Sequence, residues 1–267
     1  MKNTSKIYQR TPITYYGGKQ TMLPYILPLI PEHQLYVEPF FGGGAVFWAK
    51  QPTKVEIIND FNANVYNFYQ VLKTDYPALK ELVERTIISR DAYKHALVIY
   101  HAPLVFTPVQ RAWAFWYATN CGFSNQINNS RITNNGKNVI ALNNKIKEFN
   151  DIYSERLQTV QIENNDALSV IEHRDTPTTF FYIDPPYVGA DQGHYGGYTQ
   201  EHFDALLSVL TKVKGKFLLS SYHNSELSRL VVEYGWYQQE IALHLSSANT
   251  KGKKRLEILT ANYPIKV

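Results

Sequence analysis

Leu35-Tyr36-Val37-Glu38-Pro39-Phe40-Phe41-Gly42-Gly43-Gly44-Ala45-Val46-Phe47-Trp48-Ala49 is the stretch that sets the fold. Leu35 to Pro39 is a short apolar run closed by a proline, and it predicts a strand. The three glycines let the backbone turn sharply and approach a ligand closely. Ala45 to Ala49 then opens a helix. Downstream, Lys54 to Ile58 predicts a second strand, closed by Asn59-Asp60. Asn62 to Lys73 has helical spacing, with Val65, Phe68, Tyr69 and Leu72 on one face. Strand, helix, strand, helix is the opening of a doubly wound α/β sheet. The glycine turn does not have the Gly-x-Gly-x-x-Gly spacing of a dinucleotide site.

Outward from that unit the rhythm breaks and then resumes. Tyr76–Ile88, Asp91–Tyr100 and Val109–Thr119 predict helices. Residues Asn125 to Asn144 are rich in Asn, Ser, Thr and Gly without a sustained apolar period, and predict loops or a hairpin. Asn143–Leu157 reads as one helix. The α/β pattern then returns with strand Thr159–Glu163, helix Ala167–Glu172, strand Thr178–Ile183, helix Thr199–Val213, strand Lys216–Ser220 and helix Glu226–Tyr234. Two late strands, Trp236–His244 and Arg255–Tyr263, are expected to pair antiparallel. The expected organisation is an α/β core, residues 1–74 and 151–267, interrupted by a mainly helical insertion at 75–150.

Composition bounds the rest. A chain of 267 residues with 44% hydrophobic content can bury a sizeable core. A net charge of +4 and a pI near 8.9 permit a nucleic-acid partner without requiring one. A single cysteine, Cys121, excludes an intrachain disulfide and a cysteine zinc site. The eight histidines show no metal spacing. Met22 to Ile30 is apolar but short and interrupted by Pro24 and Pro28, so neither a signal core nor a membrane span is expected. These features suit a cytoplasmic protein.

The chemistry is carried by a few constellations. Asp184-Pro185-Pro186-Tyr187 follows the buried run Thr179 to Ile183. Proline has no N–H and a fixed φ, so the tetrad must form a stiff turn. It sets a carboxylate, backbone carbonyls and an aromatic ring side by side. That arrangement suits a planar base bearing an NH2 group; a plain rigid turn is the structural alternative. Asp60 ends the second strand, where an acid accepts bonds from a ribose or caps the following helix. Asp166 faces the same choice between an adenine amine and a helix cap. Thr14-Tyr15-Tyr16-Gly17-Gly18-Lys19 offers a tight turn and one cation, without the spacing of a phosphate loop.

Taken in order, Tyr15-Tyr16-Gly17-Gly18-Lys19, Val37-Glu38-Pro39-Phe40-Phe41-Gly42-Gly43-Gly44, Ile58-Asn59-Asp60 and Asp184-Pro185-Pro186-Tyr187 resemble the motifs of the Dam-like, D12-class DNA adenine-N6 methyltransferases of α order. The resemblance spans nearly the whole chain, including Lys253-Lys254-Arg255-x-Glu257 and Asn262-Tyr263. It implies a Rossmann-like sheet of the class I kind and S-adenosyl-L-methionine (AdoMet) as methyl donor, with no metal. It implies methyl transfer to adenine N6 in double-stranded DNA with base flipping, and a cognate restriction endonuclease as a partner to look for. Asp184, Pro185, Pro186 and Tyr187 match the catalytic turn. Tyr15, Lys19, Glu38, Phe40, Phe41, Gly42, Gly43, Gly44, Asp60, Asp166 and Asp184 match cofactor positions. The insertion is where target recognition is expected. Its candidates are Asn125, Gln126, Asn128, Asn129, Arg131 and Lys137, with Lys251, Lys253, Lys254 and Arg255 for phosphates. The insertion does not look like the recognition loop associated with GATC, so the target sequence stays open. Cytosine-N4 methylation is the rival enzyme reading, and Asp rather than Ser at 184 argues against it. A catalytically inactive DNA-binding homologue is the rival from another class; the intact Lys19, Asp184 and glycine turn argue against that.

Overall fold

The computed structural model describes residues 9–122, 137–188, 197–244 and 254–265. Seven strands form one mixed sheet: β1 (Leu35–Glu38), β2 (Val55–Asn59), β3 (Val160–Glu163), β4 (Thr179–Ile183), β5 (Lys216–Ser221), β6 (Tyr237–His244) and β7 (Lys254–Ala261). Their order is β3-β2-β1-β4-β5-β7-β6. β1 runs parallel to β2 and β4, and β4 to β5. β7 is antiparallel to β5 and to β6, as expected for the late pair. The helices are α1 (Leu23–Ile26), α2 (Ala45–Ala49), α3 (Ala63–Thr74), α4 (Tyr76–Glu84), α5 (Arg90–His101), α6 (Pro108–Cys121), α7 (Lys137–Glu148), α8 (Ile152–Leu157), α9 (Ala167–Arg174), α10 (Gln200–Leu210) and α11 (Ser225–Tyr234). This is the expected doubly wound class. The chain leaves β1 toward β2 on one side, and the later strands β4 and β5 lie on the other. The carboxyl ends of β1 and β4 therefore flank a topological switch point, where sheets of this kind bind ligands.

The chain falls into two compact units. One comprises residues 24–41, 53–61 and 163–267. Its core includes Val37, Ile57, Phe181, Ile183, Phe217 and Leu219 from one face of the sheet, packed with Phe203, Leu206, Leu207, Leu227 and Leu230 of α10 and α11. Both faces of β4 are buried, so its residues form a continuous apolar run instead of alternating. The other unit comprises residues 1–23, 42–52 and 62–162. Its centre is α6, packed against α3, α4 and α5. α6 is buried from Ala112 to Cys121 on nearly every side, except at Trp113 and Asn120, as a helix apolar all round must be. A capping box between Thr107 and Gln110 starts it, with Pro108 in the first turn where no N–H is missed.

Two local expectations are corrected. Residues 137–144, read as loop, are the first turns of α7. Leu142 and Phe149 are buried at a spacing of seven, and the intervening asparagines hid that period. The single helix expected over Asn143–Leu157 is two, broken between Glu148 and Ile152. The apolar stretch with Pro24 and Pro28, for which no secondary structure was expected, forms two short helical turns with each proline in a first turn. No helix among the described residues is long and apolar enough to cross a membrane.

Candidate active site

Three carboxylates stand at the carboxyl ends of neighbouring strands. Glu38 closes β1, Asp60 follows β2 and Asp184 follows β4. Glu38 and Asp60 are 2% and 3% exposed, which singles them out, because buried acids are costly unless bonded. The Tyr36 hydroxyl donates to Glu38 at 2.7 Å. Asn59 fixes the loops around this edge. Its amide donates to the Pro39 carbonyl at 2.9 Å and to that of Asn165 at 3.1 Å, and its own side-chain oxygen accepts from Asn165 N–H at 2.9 Å. The Phe41 N–H donates to the Asn59 carbonyl, tying the chain leaving β1 to the end of β2.

The two ambiguous aspartates separate. Asp60 does not cap α3. That task belongs to Asn62, whose side chain accepts from Asn64 N–H at 3.0 Å. Asp166 does cap its helix, accepting from Ser169 N–H at 3.0 Å. Nearby, Tyr198 meets Phe40 edge to face at 6.4 Å and stacks on His202 at 5.6 Å. Burial, and then the charge of Asp166, pushes the Tyr198 phenol up.

The turn after β4 is anchored through its aromatic end. Tyr187 shares a 2.7 Å hydrogen bond with Ser220 Oγ and donates to Glu257 Oε2 at 3.3 Å. Its ring meets Tyr222 at 4.4 Å, tilted by 65°. Burial pushes the phenols of Tyr182 and Tyr187 well up, followed in both by the charge of Asp184. Both tyrosines are therefore neutral at ordinary pH. A cavity of about 130 Å³ lies beside the turn, lined by Pro186, Tyr187, Phe203, Ser221, Tyr222 and Asn224 among others. Ser221 is 3% exposed and its hydroxyl has no hydrogen-bond partner among the described residues.

In the helical unit, Tyr15 to Gly18 form a tight turn closed by Gly18 N–H to the Tyr15 carbonyl at 3.2 Å. Gly17 takes the positive φ of 75° that such a turn requires at its third position. Lys19 is 5% exposed and its ammonium donates to the Gly17 carbonyl at 3.0 Å. The Tyr15 ring lies on the glycine turn itself. Gly42 has φ 48°, and a Cβ there would stand 2.7 Å from Tyr15 Cδ1. The Gly42 carbonyl accepts from Tyr69 at 3.1 Å. So glycine at 42 is required both by backbone and by space.

A family model for the D12 class of N6 adenine-specific DNA methyltransferases matches residues 15–243. The chain belongs to this class. As a D12-class methyltransferase it acts on adenine in DNA with AdoMet as methyl donor. Among similar proteins, the Type II methyltransferase M1.LlaDCHI of Lactococcus lactis subsp. cremoris is 28% identical, over 97% of each chain. The Type II methyltransferase M.MjaIII of Methanocaldococcus jannaschii is 26% identical, over 92% of this chain and 96% of that one. The modification methylase StsI of Streptococcus sanguinis is 24% identical over 99% of this chain, which spans only 44% of StsI's length.

Sequence reading did not single out Ser220, Ser221, Tyr198 or Tyr222, and it noted Asn59 and Glu257 only as parts of motifs. The partners of Asn59, Ser220, Tyr222 and Glu257 lie far away along the chain, so no local pattern marks their roles. The methyltransferase's DNA candidates lie largely outside the described residues. Asn125, Gln126, Asn128, Asn129, Arg131, Lys251 and Lys253 do, and only the backbone of Lys137, Lys254 and Arg255 is described, at the starts of α7 and β7. Among the described residues no group of His, Cys, Asp or Glu is arranged to hold a metal ion.

Proposed function

We propose that this methyltransferase modifies adenine N6 within a specific sequence of duplex DNA, with Asp184-Pro185-Pro186-Tyr187 as the transfer turn. The observation that carries the reading is the position of Asp184, directly beyond β4 at the switch point beside β1. The acidic edge fits the cofactor: Asp60, directly beyond β2, is the ribose acceptor, and Glu38 lies at the end of the neighbouring strand. The roles of Tyr15, Lys19, Phe40, Phe41 and Gly42 to Gly44 toward AdoMet rest on the resemblance. Asp166 keeps the adenine of the cofactor as a second task beside its cap.

AdoMet supplies an electrophilic methyl group on a sulfonium. The residues must then prepare the amine, whose lone pair is delocalised into the purine. Asp184 accepts one N–H and the Pro185 carbonyl the other, which favours a pyramidal nitrogen with an available lone pair. Alignment of this kind contributes up to roughly 7–11 kcal/mol in favourable cases. The amine becomes more acidic once methylated, so Asp184 need not be a strong base. Reaching the atom requires flipping the base from the duplex at a cost of a few kcal/mol. Stacking on the Tyr187 ring returns about 1–3 kcal/mol. The segment 75–150 reads the target, with Asn, Gln and Arg between 125 and 137 on base edges and the 251–255 basic run on phosphates. The Type II names of the relatives favour a role beside a restriction endonuclease, in the cytoplasm.

The test is Asp184→Ala. Turnover should fall by about 10²–10⁴-fold, while AdoMet affinity measured by calorimetry stays within a few fold. Turnover close to wild type removes Asp184 from the reaction.

A further inference from the structure

The hydroxyl of Tyr187 ties the transfer turn to strands β5 and β7. Ser220 of β5 is fully buried, and Glu257 of β7 is 4% exposed. With Tyr187 donating to Glu257 at 3.3 Å, its 2.7 Å bond to Ser220 must run from the serine hydroxyl to the phenol oxygen. A single proton order therefore links Ser220, Tyr187 and Glu257. Glu257 sits opposite Ile241 in the β6–β7 ladder, beside Leu256 and Ile258. An apolar residue would cost less at such a place, since a carboxylate loses hydration on burial. The turn is thus held at both ends. β4 fixes Asp184, Pro185 and Pro186 stiffen the link to Tyr187, and the Glu257 bond fixes the ring of Tyr187.

We propose that Glu257 is a positioning residue for methyl transfer, holding the Asp184–Tyr187 turn in register through the Tyr187 hydroxyl. The inference rests on the catalytic reading of that turn. The experiment is a cycle of Glu257→Met, Glu257→Gln, Tyr187→Phe and the double variant Tyr187→Phe/Glu257→Met. Methyl transfer to duplex DNA and AdoMet binding are measured for each. Loss of a hydrogen bond to a charged group should lower kcat by about 10-fold or more in Glu257→Met and in Tyr187→Phe. The double variant should lose no more than the worse single one, and AdoMet Kd should stay within a few fold. Glu257→Gln keeps an acceptor oxygen and should restore kcat to within about 3-fold. Losses that multiply, or a parallel fall in AdoMet affinity, overturn the proposal. Should Glu257→Met not fold, Tyr187→Phe alone decides. It keeps the ring, so an unchanged kcat overturns the role and a lowered kcat with intact AdoMet binding supports it. A wild-type enzyme without transfer to DNA would instead count against the proposed function.

Discussion

Replacing Gly42 with alanine should destabilise the protein through two separable effects. The backbone there has φ 48°, in the left-handed region, which costs an L-residue about 1–2 kcal/mol. The new methyl group would also stand 2.7 Å from Cδ1 and 3.1 Å from Cε1 of Tyr15. Tyr15 is 5% exposed and packs near Phe115 at 6.2 Å, so its ring cannot simply swing into solvent. Overpacking of this kind costs about 1–3 kcal/mol. The sum is about 2–5 kcal/mol, a Tm drop of roughly 5–15 °C for a chain of this size. Gly17→Ala is the internal control. Its φ of 75° carries the backbone cost, but a Cβ there meets nothing within 4 Å. Calorimetric unfolding of Gly42→Ala, Gly17→Ala and Gly42→Ala in a Tyr15→Ala background separates the two. Gly42→Ala should be the worse single variant, and removing the ring should bring its cost down to that of Gly17→Ala. Equal losses at 17 and 42, or no relief from Tyr15→Ala, would refute the packing argument.

Asp60→Ala should weaken AdoMet binding in a titration, whereas Asn62→Ala should leave it within a few fold and cost about 1 kcal/mol of stability as a lost cap. Substitutions of Asn, Gln or Arg across 125–137 should relax the methylated motif at single positions, at about 1–3 kcal/mol per lost bidentate contact, read by methylome sequencing. Lys253→Ala or Lys254→Ala should instead weaken binding to all sequences and flatten its salt dependence in titrations at two salt concentrations. Burial raises Tyr93 and Tyr153 to about 12 in the folded chain, against 10.0 for an ordinary tyrosine. The unfolded chain ionises first, so stability should hold below about pH 10 and fall as the pH rises toward 12, as followed by denaturant unfolding at stepped pH.

The sheet was legible in the sequence because its strands are short β-branched and aromatic runs bounded by glycine, proline or Asn-Asp. The late hairpin was legible for the same reason, and Tyr237 pairing Ala261 with His244 pairing Lys254 bears it out. The onset of α7 was hidden because, among its described side chains, only Leu142 is buried, so no apolar period marks its first turns. The fates of Asp60 and Asp166 could not be told apart locally, since each precedes a helix. The difference lies in which residue reaches the free N–H groups, Asn62 in one case and Asp166 itself in the other. The roles of Glu257 and Ser220 were not legible because their meeting with Tyr187 depends on the β5–β7 pairing, which spans nearly forty positions of chain.

The central claim is methyl transfer to the N6 amine of adenine, and nucleoside analysis tests it most directly. Mixed-sequence duplex DNA is incubated with the protein and methyl-labelled AdoMet, digested to nucleosides and separated. The account predicts label in N6-methyldeoxyadenosine, and its loss in Asp184→Ala. Label in N4-methyldeoxycytidine, or DNA that stays unlabelled while the protein binds AdoMet, would contradict it.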